Sequence, residues 1–225
     1  MARLTTTTPA TAIMTHLAAF ADLHLGAHYT PGSPWVREEL SGRAANQDTP
    51  DVVVFAGDLF DRHTSGPEQE AEGAQLFRWI TQEMQLPVVA IWGNHDVAKG
   101  FEFHSRFPTI DGVYFPHGYD VCEITVPGIN ITFHAVNVAK KRDKRELIDD
   151  FPVVDVADSQ KHVGVFHTGL TGEYTKNNCL PATLEQLQVK NYGAWVLGHV
   201  HAPTTLSQHP YIGWPGTGVM VDIRL

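Results

Sequence analysis

A chain of 225 residues, 43% hydrophobic and 18% charged, carries enough apolar material for a sizeable core, which excludes disordered and fibrous classes. Its formal net charge of -9 and pI near 5.7 exclude a protein that coats nucleic acid nonspecifically. Two cysteines, Cys122 and Cys179, make no disulfide framework and point to a reducing cytoplasm, and no apolar stretch approaches the roughly 20 residues of a membrane span.

In chain order, residues 1–10 are threonine-rich and read as a flexible lead-in, with 11–225 as one catalytic domain. The apolar run Ile13–Phe20 predicts a strand that leads into Asp22-Leu23-His24. Ser33 is expected to cap a helix over Pro34–Asn46, with proline in its first turn. A second strand, Val52–Ala56, delivers Gly57-Asp58, and Pro67–Gln85 predicts a helix with Leu76, Phe77, Ile80 and Met84 on one face. Val88–Ile91 then leads to Gly93-Asn94-His95-Asp96, and Tyr119–Val126 and Ile129–Val136 flank Pro127-Gly128 as a hairpin. The basic run Lys140–Arg145 precedes Glu146, Asp149 and Asp150, which predict an acidic helix. The run reads as a solvated helical face with internal ion pairs, and a phosphate-gripping loop is the alternative. Val163–Phe166 ends at His167, a helix is expected over Pro181–Gln188, and Ala194–Leu197 ends at Gly198-His199-Val200-His201. Phe101, Phe103 and Phe107, considered as rings for stacking bases, read instead as core.

The polar clusters share a position: each follows an apolar strand, where ligands collect in layered α/β proteins. Hydrolysing a phosphate ester at neutral pH needs an activated water and a counter-charge for the phosphoryl oxygens, and two divalent ions roughly 3.5–4 Å apart supply both. Such a pair needs a shared carboxylate, for which Asp58 is the natural choice. Neutral imidazoles and hard oxygens from His24, His167, His199, His201 and Asn94 complete a set that suits manganese, iron or zinc. If strand geometry persists, the i, i+2 spacing aims Asp22 with His24, and His199 with His201, at one centre. The glycines at 57, 93 and 198 would let the backbone turn beside the ions. Eight further histidines read as surface or hydrogen-bonded residues, with His63, close after Asp58, as a potential substrate contact.

The order D-x-H, G-D, G-N-H-D, H, G-H-x-H is similar to the calcineurin-like metallophosphoesterase superfamily from about Asp22 to His201. That resemblance implies an α/β chain of layered α+β type, in which two mixed sheets form a β-sandwich flanked by helices, four layers in all. It implies two divalent metal ions, manganese first and iron or zinc as alternatives. One would be held by Asp22, His24, Asp58 and His201, the other by Asp58, Asn94, His167 and His199. His95 would be the outer histidine that steadies the phosphate and protonates the leaving oxygen, with Asp96 orienting its ring.

Within the superfamily the wording of Asp22–Gly26, Gly57–Asp61 and Trp214-Pro215-Gly216-Thr217 is most similar to SbcD-type DNA repair exonucleases. The resemblance therefore implies phosphodiester hydrolysis with DNA or nucleotides as substrate, an ATPase partner and a homodimer. For the capping region and partner-docking tail of those nucleases no counterpart is expected in these 225 residues. Asp58–Arg62 is also similar to the segment of serine/threonine phosphoprotein phosphatases in which an arginine meets phosphate. Through Arg62 a phosphomonoesterase, acting on phosphoprotein or a small molecule, is the alternative, and a small nucleotide phosphodiesterase lies between. A scaffold that has lost catalysis is the reading outside enzymes.

Overall fold

The computed structural model describes residues 14–97, 103–158 and 160–225. The expected lead-in over residues 1–10, the first residue of the Ile13–Phe20 strand and Phe101 lie outside them, as does the ring of Phe103.

Among the described residues the strands are β1 (His16–Phe20), β2 (Val52–Phe55), β3 (Val88–Ala90), β4 (Val113–Tyr114), β5 (Cys122–Thr125), β6 (Ile131–Ala135), β7 (Lys161–His167), β8 (Ala194–Gly198), β9 (Thr204–Gln208), β10 (Tyr211–Trp214) and β11 (Val221–Arg224). They form two mixed sheets, in the orders β11-β1-β2-β3-β4 and β5-β6-β7-β8-β10-β9. The parallel neighbours β1, β2 and β3 in one sheet, and β6, β7 and β8 in the other, carry the apolar runs. Strands buried on both faces need no alternation with polar residues, which is why these runs are continuous. The hairpin around Pro127-Gly128 is present, with Cys122 opposite Ala135 and Thr125 opposite Thr132.

The period of two along each strand divides the apolar residues between two cores. Leu17, Ala19, Val52, Val54, Val89, Phe133, Val163, Val165, Ala194 and Val196 face inward and fill the space between the sheets. Ala18, Phe20, Val53, Phe55, Phe166, Trp195 and Leu197 face outward beneath the helical layers. On one side the cover is α1 (Gly32–Ala45) and α2 (Pro67–Arg78), whose Val36, Leu40, Leu76 and Phe77 are fully buried. On the other side it includes Phe151 and Leu187, the latter from α4 (Leu184–Gln188), which starts at a Thr183–Gln186 capping box. The short α3 (Phe103–Arg106) lies before β4. The four-layer arrangement expected from the resemblance is therefore what the chain adopts.

Local details differ from expectation. Ser33 does not cap α1: the helix begins one residue earlier, behind Pro31, and the Ser33 hydroxyl donates across to Glu72 of α2. The second helix turns into a wider π turn over Trp79–Glu83 but keeps Leu76, Phe77 and Ile80 buried, with Met84 packed against them. The expected acidic helix around Glu146 is only one 3-10 turn, Ile148–Asp150. Phe107 packs edge-on against Phe77 and Trp92 and belongs to the core.

Candidate metal centre

The carboxyl ends of β1, β2 and β3 in one sheet and of β7 and β8 in the other meet at one end of the sandwich, and the five polar clusters lie there. The strands do not aim Asp22, His24, His199 and His201 as expected, because β1 stops at Phe20 and β8 at Gly198. Asp22, His24, Asp58 and His199 instead have φ of +53°, +44°, +57° and +93°. Left-handed backbone at non-glycine residues costs of order 1 kcal/mol or more each and persists where surrounding structure enforces it. Such turns swing alternate side chains to one point once the strand has ended. Of the three glycines, only Gly57 uses positive φ, +93°. Gly93 and Gly198 serve close approach: a Cβ would lie 2.2 Å from Asp58 Oδ1 at Gly93 and 1.9 Å from the Ala56 carbonyl oxygen at Gly198.

Three overlapping sets of donors result: Asp22, His24 and His201; His24, Asp58 and His95; and Asp58, His167 and His199, the atoms of each set within 4.8 Å of one another. His24 links the first two sets and Asp58 the last two, with Asp58 Oδ2 3.8 Å from His24 Nε2 and 3.4 Å from His167 Nε2. His201 Nε2 lies 3.0 Å from His24 Nε2, and Asn94 Oδ1 lies 3.0 Å from His167 Nε2 and 2.7 Å from His199 Nδ1. All seven expected ligands are thus brought together.

Hydrogen bonds behind the site fix which lone pairs face it. His167 Nδ1 donates to the Ala56 carbonyl at 2.8 Å, which turns Nε2 toward Asp58 and Asn94. His199 Nε2 donates to the Asn177 carbonyl, leaving Nδ1 as a lone pair toward Asn94. Both Asp22 oxygens accept the His199 backbone N–H at 3.1 Å, and Asp58 Oδ1 accepts that of His95 at 2.8 Å. For His167 and His199 the nitrogen turned away from the site is held by a backbone carbonyl, the usual support for metal ligation, whereas His24 Nδ1 has no hydrogen-bond partner among the described residues. Burial pulls His24 and His199 down to about 4, which keeps them neutral and ligand-competent at pH 7. Burial, offset by His167 and reinforced by Asp58, pushes Asp22 up to about 8, and against burial the Asp58 carboxylate brings His167 up to about 9, so three buried carboxylates, Asp22, Asp58 and Asp96, crowd a space in which His167 is the one imidazole raised. The residues fit a pair of divalent ions.

Asp96 does not orient His95. Its carboxylate accepts the backbone N–H groups of Leu59, Phe60 and Gly93, so it ties the Asp58 loop to the Asn94 loop. The carboxylate beside His95 is that of Asp61, with Oδ2 3.7 Å from Nδ1, and Asp61 is itself held by Thr64. Sequence reasoning missed this pairing, although Asp61 three residues after Asp58 was the available signal. Burial lowers the His95 ring, while Asp58 pulls it back up.

A cleft of about 760 Å³ opens over Asp58, Asn94, His95, His199 and His201. Arg62 lines it; the exposed His63 does not, and its Nε2 accepts from Arg62 Nε at 2.9 Å. The basic run is not a solvated helical face. Residues 140–145 form a loop in which Lys141, Arg142 and Lys144 line the cleft, while Arg145 turns back onto Asp143. Tyr174 and Lys176, which nothing in the sequence had singled out, line the same space.

Similarity to known proteins agrees with this geometry. The family model for calcineurin-like phosphoesterases matches residues 15–203. The DNA double-strand break repair protein Mre11 of Archaeoglobus fulgidus is 34% identical over 231 aligned positions, covering 92% of this chain and 51% of that protein. The SbcD component of the SbcCD nuclease of Staphylococcus epidermidis is 22% identical over 194 positions, covering 76% and 51%. The chain spans about half the length of the curated relatives it matches. A dimetal phosphatase from Danio rerio shares the fold at a TM-score of 0.52 and 11% identity, over 91% of this chain and 88% of that one. Among the described residues no helix is long and apolar enough to cross a membrane. The chain belongs to the calcineurin-like phosphoesterase family.

Proposed function

We propose that the chain hydrolyses phosphodiester bonds in nucleic acid, as a nuclease of the SbcD type. Asp22, His24, Asp58 and His201 would hold one divalent ion and Asp58, Asn94, His167 and His199 the other, with manganese first and iron or zinc as alternatives. When bound, the ion pair supplies Lewis acidity for the attacking water and counter-charge for the phosphoryl oxygens. The observation that carries the reading is the makeup of the cleft over Asp58: Arg62, Lys141, Arg142, Lys144 and Lys176 line it against a single carboxylate, on a chain of net charge -9. The names of the Archaeoglobus and Staphylococcus relatives support the same reading.

The chain's own residues then have separable tasks. Asp58, between the two histidine groups, would share its charge across both ions. His95 stands at the cleft and gives a proton to the leaving oxygen, with the Asp61 carboxylate 3.7 Å from its Nδ1. Arg62 clamps a phosphoryl oxygen, and His63 fixes the guanidinium by taking its Nε–H. Both cysteines are free, which supports a reducing cytoplasm as the place of work.

The test is hydrolysis by purified protein with manganese, comparing bis-p-nitrophenyl phosphate, p-nitrophenyl phosphate, and single- and double-stranded DNA, with Asp58→Asn as control. Diester and DNA cleavage lost in the variant supports the nuclease. Preference for the monoester overturns it in favour of a phosphatase using Arg62.

A further inference from the structure

The chain has 16 lysines and arginines against 25 acids, so cations should be sparse everywhere. Five of the 16 nevertheless line one cleft, and four of these, Lys141, Arg142, Lys144 and Lys176, come from two loops well away from the metal clusters in sequence. None of the four forms an ion pair among the described residues, and Lys141, Arg142, Lys144 and Lys176 are all exposed. Unpaired like charges gathered on an acidic protein repel one another, and the arrangement is favourable only toward an anion that spans several of them.

The two loops are built as one unit. Asp143 is fully buried between its basic neighbours. Its carboxylate accepts the Ala139 N–H at 2.8 Å and both sides of the Arg145 guanidinium, and Arg145 donates in turn to the Asn137 carbonyl. These bonds hold Asp143 below the ordinary carboxylate range against the opposing effect of burial. The Asp143 backbone carbonyl then accepts the Leu180 N–H at 2.9 Å, joining the 139–145 loop to the loop that bears Tyr174 and Lys176. That second loop is tied to the centre, because Asn177, next to Lys176, gives its carbonyl to His199 Nε2. Tyr174 lines the cleft and rests on Trp214 with ring centroids 4.8 Å apart, and it keeps 39% of its surface exposed.

We propose that the 139–145 and 170–180 loops form one wall that binds the phosphates next to the scissile one in a single-stranded oligonucleotide. Asp143 is the positioning residue that joins the loops, and Tyr174 is the ring on which a neighbouring base stacks. The inference rests on the phosphodiesterase reading of the metal centre and adds what lies beside it: lysines track a backbone of repeated charge, and an exposed aromatic ring takes any unpaired base.

The test measures binding apart from turnover. Fluorescently labelled single strands of roughly 12 and roughly 2 nucleotides, and a duplex of the longer sequence, are titrated with the full chain without added metal and followed by anisotropy. The wild type should bind the longer strand at least tenfold tighter than the dinucleotide and tighter than the duplex. Lys141→Ala/Lys144→Ala/Lys176→Ala should weaken the longer strand at least tenfold and reduce the slope of log affinity against log salt by about 2, three contacts at about 0.7 each. Tyr174→Leu should weaken it about fivefold with no change of slope. Lys161→Ala, at the far end of β7, should match the wild type. In turnover, Asp143→Asn should raise KM for the longer strand with kcat retained, a split that general unfolding would not give. Equal affinity for both lengths, an unchanged salt slope in the triple variant, or tighter duplex binding overturns the wall. Strand binding as expected with no diester cleavage overturns only the reading of the metal centre.

Discussion

Trp214→Phe isolates the tie that joins the two histidine loops. The indole N–H is shared by the Thr168 carbonyl at 2.8 Å and the Gly198 carbonyl at 3.1 Å, the residues directly after His167 and directly before His199. Phenylalanine keeps an aromatic ring but has no donor. The Gly198 carbonyl retains the Thr168 N–H at 3.2 Å, whereas the Thr168 carbonyl loses its hydrogen bond in a buried place, at a cost of about 1–3 kcal/mol. The smaller ring at a position only 1% exposed adds about 1–2 kcal/mol of lost packing. A total near 3 kcal/mol lowers Tm by about 6–12 °C for a chain of this size. Because both loops carry proposed ligands, metal affinity should fall about 10–100-fold, the usual scale for losing support behind a ligand. Urea unfolding of the metal-free protein gives the first quantity and metal titration the second. A stability loss under about 0.5 kcal/mol together with wild-type metal affinity would refute the idea that this N–H holds the loops in place.

Four other outcomes follow from the structure. Gly93→Ala puts a Cβ 2.2 Å from Asp58 Oδ1 and 2.5 Å from its backbone nitrogen, so it should lose about 3 kcal/mol or more and its metal binding; Gly42→Ala, in α1 with nothing within 4 Å, should gain about 0.5–1 kcal/mol in the same urea assay. His134, buried and then opposed by His162 at 2.9 Å, is pulled from 6.5 down to about 4. Between those values the unfolded chain binds a proton that the folded chain refuses, so this contribution is complete above about pH 6.5 and drains as pH falls toward 4. His134→Phe, which keeps the stack on Tyr192, should flatten the wild-type curve of Tm against pH in that window, and parallel curves would assign the slope to another group. His95→Asn should leave two metal equivalents bound by elemental analysis while slowing hydrolysis about 100-fold or more, and a silent substitution would remove His95 from the proton step.

The parts of this molecule that were legible in the sequence are those that chemistry or period dictates locally. Residue type alone marks Asp22, His24, Asp58, Asn94, His167, His199 and His201, because few other jobs ask for that mixture after successive apolar runs. The strands β1, β2, β3, β7 and β8 announce themselves because both faces are buried. What stayed hidden depends on residues far apart in the chain. The left-handed turns at Asp22 and His24 are enforced by the Asp58 loop, whose Gly57 and Asp58 carbonyls accept their N–H groups. The partner of His95 had to be chosen among several nearby acids, and only packing selects Asp61 over Asp96. The basic run looked like a helical face because its charges alternate with Asp143, yet the fold buries that carboxylate and turns three of its neighbours to the cleft. Short strands such as β4 and β9 to β11 carry weak patterns, and β11 is defined chiefly by pairing with β1.

The proposed ligands divide by sheet: Asp22, His24, Asp58 and Asn94 follow strands of one, and His167 ends a strand of the other while His199 and His201 follow one. The ions would therefore sit on the seam and act as rivets through the open end of the sandwich. Neither half could assemble a site alone, so occupancy would report whether the two halves have closed. At a hundredfold excess over Kd each rivet adds about 2.7 kcal/mol against separation of the sheets. Chelation should then loosen amides at the tips of β2 and β8 well before those buried mid-strand, and hydrogen exchange would show the molecule opening from its working end like a clasp.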